Sequence, residues 1–233
     1  LAMPLLVPSL KKADYAAAQQ VDFFIANSNE VQKRIKKYYN KSSTVIHPPV
    51  NVKRFQPART RLNHYVALGR QVPYKRIDLA VAACTKLNIP LKVFGNGSEH
   101  EKLVKMAGSS VEFYTDRFGD ASDKAVESAL NTAKGFIFPT EEDFGIVQVE
   151  ALAAGAPVIA YHKGGAKDIV DNNVSGVLFN EQTVSATAAA IQTAEKMNFP
   201  PTTLHRKAKR FDKSLFISKI HHVVATRWPH TNK

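Results

Sequence analysis

Two carboxylates, Glu142 and Glu150, stand eight residues apart across a helix start in the run Pro139-Thr140-Glu141-Glu142-Asp143-Phe144-Gly145-Ile146-Val147-Gln148-Val149-Glu150-Ala151-Leu152-Ala153-Ala154-Gly155-Ala156-Pro157-Val158-Ile159. The run before it, Gly135-Phe136-Ile137-Phe138, is short, apolar and aromatic, as a buried strand requires. From Gly145 onward Ile146, Val149 and Ala153 recur at helical spacing, Gly155 suits a C-terminal stop and Pro157 bars continuation. The chain is thereby committed to strand, loop, helix and strand in quick succession, with Glu142 in the loop and Glu150 inside the helix.

The first amides of a helix lack internal partners and carry partial positive charge, so those of Gly145, Ile146 and Val147 suit a phosphate, and Gly145 lets a ligand come close. Glu150, about five residues in at ~1.5 Å per residue, would accept hydroxyl hydrogen bonds to one side of that phosphate and Glu142 to the other. The spacing therefore predicts a site for a sugar diphosphate. A second reading stands beside it for Glu141, Glu142 and Asp143, which also suit the positive end of a helix dipole without any ligand. Glu150 is harder to explain in that way, flanked as it is by Val149 and Ala151.

Charge is unevenly placed. Residues 1–60 carry 10 Lys+Arg against 3 Asp+Glu and residues 201–233 carry 8 against 1, which leaves the middle of the chain at −2 out of a net +12. Basic flanks around a near-neutral centre suit an anionic membrane surface or an acidic partner better than a nucleic-acid groove, and a solvated basic face is the commoner cause. The single cysteine, Cys84, excludes an internal disulfide framework and suits a reducing compartment. The eight histidines form no ligand cluster, so no metal site is expected. No apolar run approaches the ~20 residues of a membrane span, so the expectation is a cytoplasmic protein, soluble or peripheral to the inner membrane face. The first residue is Leu1 and not Met, which reads as a processed or truncated product.

Along the chain strands and helices alternate. Residues 21–26 read as a strand, Asn27-Ser28-Asn29-Glu30 as a cap, and 31–39 as a helix with Lys33, Arg34, Lys36 and Lys37 on a charged face. Thr44-Val45-Ile46 leads into His47-Pro48-Pro49, a linker running to about Pro57. Tyr65-Val66-Ala67-Leu68 is a strand entering the turn at Gly69-Arg70, and 77–86 is a helix, so Arg70 and Lys75 fall beyond a strand end and at a helix start. Positive charge there opposes the helix dipole, which favours a ligand as its reason. Residues 91–94 form a strand ending in Gly95-Asn96-Gly97, a close turn in which His100 occupies the third slot of the dinucleotide fingerprint. Further strands are expected at 111–114, 158–161 and 177–179, with helices at 123–132, 166–171 and 184–197 and a basic tail helix from about Asp212. In the tail Phe211, Leu215, Phe216, Ile220, Val223 and Trp228 form an apolar set. Such alternation predicts an α/β fold, a parallel sheet with helices on both faces and ligands beyond the carboxyl ends of its strands.

Gly69-Arg70 with Lys75, the Glu142 to Glu150 pair around Phe144-Gly145-Ile146, the Ala153-to-Ile159 run, Ala26-Asn27-Ser28 and the Pro48-Pro49-Val50 linker ending at Phe55 together resemble the family 4 retaining glycosyltransferases of the GT-B fold. The likeness runs from about residue 20 to 225. It implies a Rossmann-like carboxyl-terminal half of a GT-B fold, with residues 61–200 as the nucleotide-sugar-binding domain, 47–60 as linker, 1–46 as the last strand and helix of the amino-terminal domain, and 201–233 as a helical tail. It also implies that Arg70 and Lys75 bind the diphosphate, the amides of Phe144 to Val147 the phosphate and sugar, Glu142 the donor-sugar hydroxyls and Glu150 the ribose. Gly69, Gly95 and Gly97 belong to the same binding edge. One departure is Thr115, where the family usually carries glycine after the strand at 111–114.

The implied reaction is retaining hexosyl transfer without a cofactor or metal, from GDP-mannose first and a UDP-hexose second, to an acceptor the sequence does not identify. Negative charge develops on the leaving diphosphate, and Arg70 and Lys75 would stabilise it in the transition state. With most of the amino-terminal domain absent, the chain alone is expected to need that domain or a partner chain to transfer sugar. A non-catalytic nucleotide-sugar-binding subunit and a basic membrane-interaction module are the readings from other classes.

Overall fold

Each strand of the main sheet is a four-residue run, apolar throughout except for Lys92 and Glu112, whose apolar side chains enter two different cores. The computed structural model describes residues 3–115 and 122–227. Strands β3 (Tyr65–Leu68), β4 (Leu91–Phe94), β5 (Val111–Tyr114), β6 (Gly135–Phe138), β7 (Val158–Tyr161) and β8 (Gly176–Phe179) pair in the order β5-β4-β3-β6-β7-β8, every ladder parallel. Tyr65, Ala67, Leu91, Val93, Ile137 and Ile159 point into one core, shared with α3 (Ile77–Leu87), α4 (His100–Met106) and α8 (Val184–Glu195). Val66, Phe94, Phe136, Phe138, Val158 and Ala160 point into the other, shared with α5 (Asp123–Thr132), α6 (Ile146–Ala153), α7 (Ala166–Ile169) and α9 (Pro201–Ala208). Burial on both faces is why β3, β6, β7 and β8 read as continuous apolar runs, while Lys92 in β4 and Glu112 in the edge strand β5 interrupt theirs. The expected α/β layering is therefore the fold observed.

The segment before the linker forms a smaller unit. Helix α1 (Met3–Gln19) precedes β1 (Phe24–Ala26), α2 (Asn29–Tyr39) and β2 (Ser43–Val45), and β1 and β2 pair parallel. Ser28 caps α2 by accepting from the Val31 amide, and Asn40 closes it in the left-handed region. The linker is tied to the tail: the Val50 amide donates to the Phe211 carbonyl at 2.9 Å and Lys213 donates back to Val50 at 3.1 Å.

Several boundaries differ from the sequence expectation. The first strand starts at Phe24 and not Val21, and the helix expected over 166–171 stops at Ile169. Helices α1, α4 and α9 are additional. The tail is a short turn over Lys209–Phe211 followed by α10 (Lys213–Arg227). Of its apolar set Phe211 and Val223 are buried, Phe216 and Ile220 half-buried and Leu215 exposed, and Trp228 lies outside the described residues. Two of the tail's cations are engaged: Lys207 pairs with Asp171 at 2.5 Å, and Arg210 donates to the carbonyls of Asp168 and Ile169. Among the described residues no helix is long and apolar enough to cross a membrane.

Candidate functional site

The chain reverses its direction of winding between β3 and β6, which are neighbours in the sheet but far apart in sequence. Loops leaving adjacent strands to opposite faces open a crevice at such a switch point. Here the crevice is walled by residues 69–76 after β3 and 139–145 after β6.

Backbone contacts hold both walls. Gln71 donates its amide to Asn96 at 2.9 Å and accepts from Glu99 at 2.8 Å, so the turn after β4 is stitched to the turn after β3. A side chain at Gly97 would bring its Cβ within 2.5 Å of the Gln71 carbonyl, which is why the residue is glycine. The buried Gln71 side chain also binds the Gly95 carbonyl and meets His100 Nδ1 at 2.7 Å. The Thr140 hydroxyl donates to the Tyr74 carbonyl at 2.9 Å and joins the two walls. Behind the second wall the Gly165 amide donates to the Glu142 carbonyl at 2.8 Å. Gly164 sits at φ 58°, where a Cβ would lie 2.1 Å from that same carbonyl oxygen.

Between the walls lies a cavity of about 550 Å³, lined by Asn27, Pro48, Gly69, Lys75, Glu142 and the stretch Phe144 to Val147 among others. Lys75 Nζ is paired with Glu142 Oε1 within it. Gly145, at φ 85°, starts α6, and neither Ile146 nor Val147 donates its amide to a backbone carbonyl among the described residues. The Phe144 ring is buried against His47 and Phe211, with centroids at 5.5 and 5.6 Å, which anchors this turn to the linker and tail. A lysine and free helix amides at one cavity are groups that suit an anion.

Leu68 separates this cavity from a second of about 320 Å³, lined by Arg54, Phe55, Phe94, Gly95, Asp123, Val126 and Glu150. Glu150 makes no hydrogen bond or ion pair among the described residues, so its acceptors face the cavity unoccupied by protein donors. Burial raises its pKa above the ordinary carboxylate value, while nearby Arg54 lowers it and Asp123 raises it. Arg54 is oriented by Glu127 Oε2 at 2.9 Å and the Asp123 carbonyl at 3.1 Å.

Gly69, Lys75, Glu142 and Phe144 to Val147 thus meet in the first cavity, and Gly95 and Glu150 in the second. Arg70 is exposed beyond β3 and lines neither, and Gly97 packs the supporting turn. Arg54, Asn27, Thr140 and Gly165 are additional. Asn27 lines the first cavity, and its buried Oδ1 has no partner among the described residues, whereas in sequence it registers as part of a cap and of the Ala26-Asn27-Ser28 likeness, with no site role. Arg54 and Thr140 carry no sequence signal, because their partners are distant in the chain. No cluster of three or more His, Cys, Asp or Glu side chains is placed to hold a metal ion among the described residues.

Residues 50–213 match the family described as Glycosyl transferases group 1. An uncharacterized glycosyltransferase of Methanocaldococcus jannaschii is 26% identical over 163 residues, covering 70% of this chain and 46% of that protein. A GDP-mannose-dependent alpha-(1-6)-phosphatidylinositol monomannoside mannosyltransferase of Mycobacterium tuberculosis is 32% identical over 172 residues, covering 62% of this chain and 44% of its own length. The chain therefore spans less than half of these relatives. Sucrose-phosphate synthase from Thermosynechococcus elongatus has a similar fold, with a TM-score of 0.82 over 95% of this chain and 62% of that one, at 20% identity.

Proposed function

The chain belongs to the glycosyl transferases group 1 family, and from that premise we propose that residues 61–200 form the donor-binding domain of a retaining hexosyltransferase. The observation that carries the reading is the convergence of Lys75, Glu142 and the free amides of α6 on one cavity, next to a second that holds Glu150. The diphosphate sits at the α6 N-terminus against Lys75, with Arg70 reaching it from the rim. Glu142 accepts from the sugar hydroxyls and Glu150 from the ribose. Residues 1–46 belong to the amino-terminal domain, 47–60 are its linker and 201–233 the tail that returns along it.

As the anomeric bond breaks, charge grows on the leaving diphosphate, and fixed donors stabilise it more than they stabilise the ground state. Retention follows from attack on the face the diphosphate leaves, by an acceptor hydroxyl whose carrier is unassigned. GDP-mannose is the preferred donor, a reading supported by the mannosyltransferase relative, and a UDP-hexose is the second. Calorimetry with GDP-mannose, UDP-glucose, UDP-N-acetylglucosamine, GDP and UDP tests this, with GDP-mannose expected to bind most tightly. Failure of every nucleotide sugar to bind would overturn the reading. A non-catalytic nucleotide-sugar-binding subunit is the second reading, and donor hydrolysis or transfer by this chain would exclude it.

A further inference from the structure

The residue assigned to the diphosphate and the residue assigned to the sugar are bonded to each other. Lys75 Nζ engages Glu142 Oε1, with the two side chains only 20% and 22% exposed. The backbone around both is fixed. Lys75 follows Tyr74, whose carbonyl accepts from Thr140, and its own amide donates to Val72 at 3.0 Å. Glu142 is clamped through its carbonyl by Gly165. Among the described residues the nearest other cations are already engaged, Arg34 by Asp143 and Arg76 by Asp78, and Glu141 is exposed. The pair therefore separates by side-chain rotation, and only when something else satisfies each partner.

We propose that the Lys75–Glu142 pair makes this site discriminate a complete nucleotide sugar from the nucleoside diphosphate that remains after transfer. The proposal rests on the donor reading above and deepens it. A diphosphate that takes Lys75 leaves Glu142 without its counterion and next to a new negative charge. Sugar hydroxyls donate to that carboxylate and compensate it, whereas a nucleoside diphosphate offers Glu142 nothing and must also break the pair. The product is thus held less tightly than the substrate, although the two share every phosphate contact.

Calorimetry with GDP, GDP-mannose, UDP and UDP-glucose tests this on the whole chain, in the wild type, Glu142→Gln, Lys75→Ala and the double variant, with Glu142→Ala as a second way to remove the charge. Glu142→Gln and Glu142→Ala are expected to tighten GDP and UDP by about fivefold, the scale of one partly exposed ion pair. Neither variant is expected to tighten the nucleotide sugars, so the preference for them collapses. In the Lys75→Ala background the gain is expected to shrink to under about twofold, because no pair remains to be broken. Equal tightening of nucleotide and nucleotide sugar, or an undiminished gain without Lys75, would show a general charge effect and overturn the proposal. If Lys75→Ala weakens the diphosphates but removal of Glu142 gives no gain, the donor reading stands and the discrimination does not. If neither Lys75→Ala nor Glu150→Gln alters any affinity, the donor reading falls and the proposal with it.

Discussion

Glu150 concentrates the tension between stability and binding. A half-buried carboxylate with no side-chain donor among the described residues is costly to keep ionised, and its raised pKa expresses that cost. A carboxyl whose folded pKa lies above its unfolded value binds more protons in the native state than in the unfolded state. Its charge therefore lowers stability at neutral pH, and the loss is relieved as pH falls through the raised pKa. Glu150→Gln is accordingly expected to raise the melting temperature at pH 7 by about 2 °C, the shift for under 1 kcal/mol at this chain length, and to lose that advantage under acid conditions. The same substitution is expected to weaken nucleoside diphosphate binding by about tenfold, as loss of a charged hydrogen bond implies. Calorimetric melts across pH, with and without nucleotide, measure both. A variant that is less stable than wild type at pH 7 would mean that Glu150 is a structural acid and not a ligand group.

At the scale of the elements, two helices of the site depend on one residue outside them. Arg61 donates to the Asn131 carbonyl in the last turn of α5 and to the Ala133 carbonyl just after it, and at 2.8 Å to the Ala154 carbonyl that ends α6. Burial pulls its guanidinium down to about 10, so it stays charged at neutral pH while satisfying several otherwise orphan carbonyls. Arg61→Met keeps the stem and removes the donors. It is expected to cost about 2–3 kcal/mol, read as a fall in the chemical-denaturation midpoint with an unchanged slope. A change under ~0.5 kcal/mol would show that water replaces the guanidinium. The contrast between Arg61 and α6 also shows what the sequence makes legible. Strand, loop, helix and the Glu142–Glu150 spacing of the α6 region are local, so pattern alone places them. Arg61, Arg54 and Gly165 act on partners some 23 to 93 residues away, and no local periodicity announces such contacts. The missed helices have their own reasons. α1 is exposed along nearly its whole length and holds Pro8, so it has no apolar stripe to read, and α9 begins directly after Pro200, where two prolines look like a break.

For the whole molecule the question is how the small unit of α1, β1, α2 and β2 meets the donor domain. Asp168 on α7, its side chain 7% exposed, accepts from the Asn29 amide at 2.7 Å and from Asn29 Nδ2 at 3.0 Å at the start of α2, and meets His47 Nε2 at 3.1 Å in the linker. A donor-domain carboxylate thus sits at the positive end of a helix from the other unit. Arg34 on α2 adds a second link, to Asp143, the chain neighbour of Glu142. Asp168→Ala is expected to speed amide exchange through residues 24–45 by about tenfold while leaving β3 to β8 protected, since a charged hydrogen bond of ~1.5 kcal/mol holds the unit and not the sheet. Uniform loss of protection would place Asp168 in the core of the fold instead. The small unit and the linker add a further wall to the crevice, through Asn27 and Pro48, while the chain spans less than half of the two relatives above. On the proposed function donor binding uses the groups of residues 61–200, whereas transfer also needs an acceptor hydroxyl held within about 3–3.5 Å of the anomeric carbon and water kept out. The chain alone is therefore expected to bind nucleotide sugar yet to transfer at little above background, in assays that follow nucleoside diphosphate release with and without simple sugar acceptors. Robust acceptor-dependent turnover would mean that this one wall suffices to hold an acceptor, and that the cleft is completed within these 233 residues.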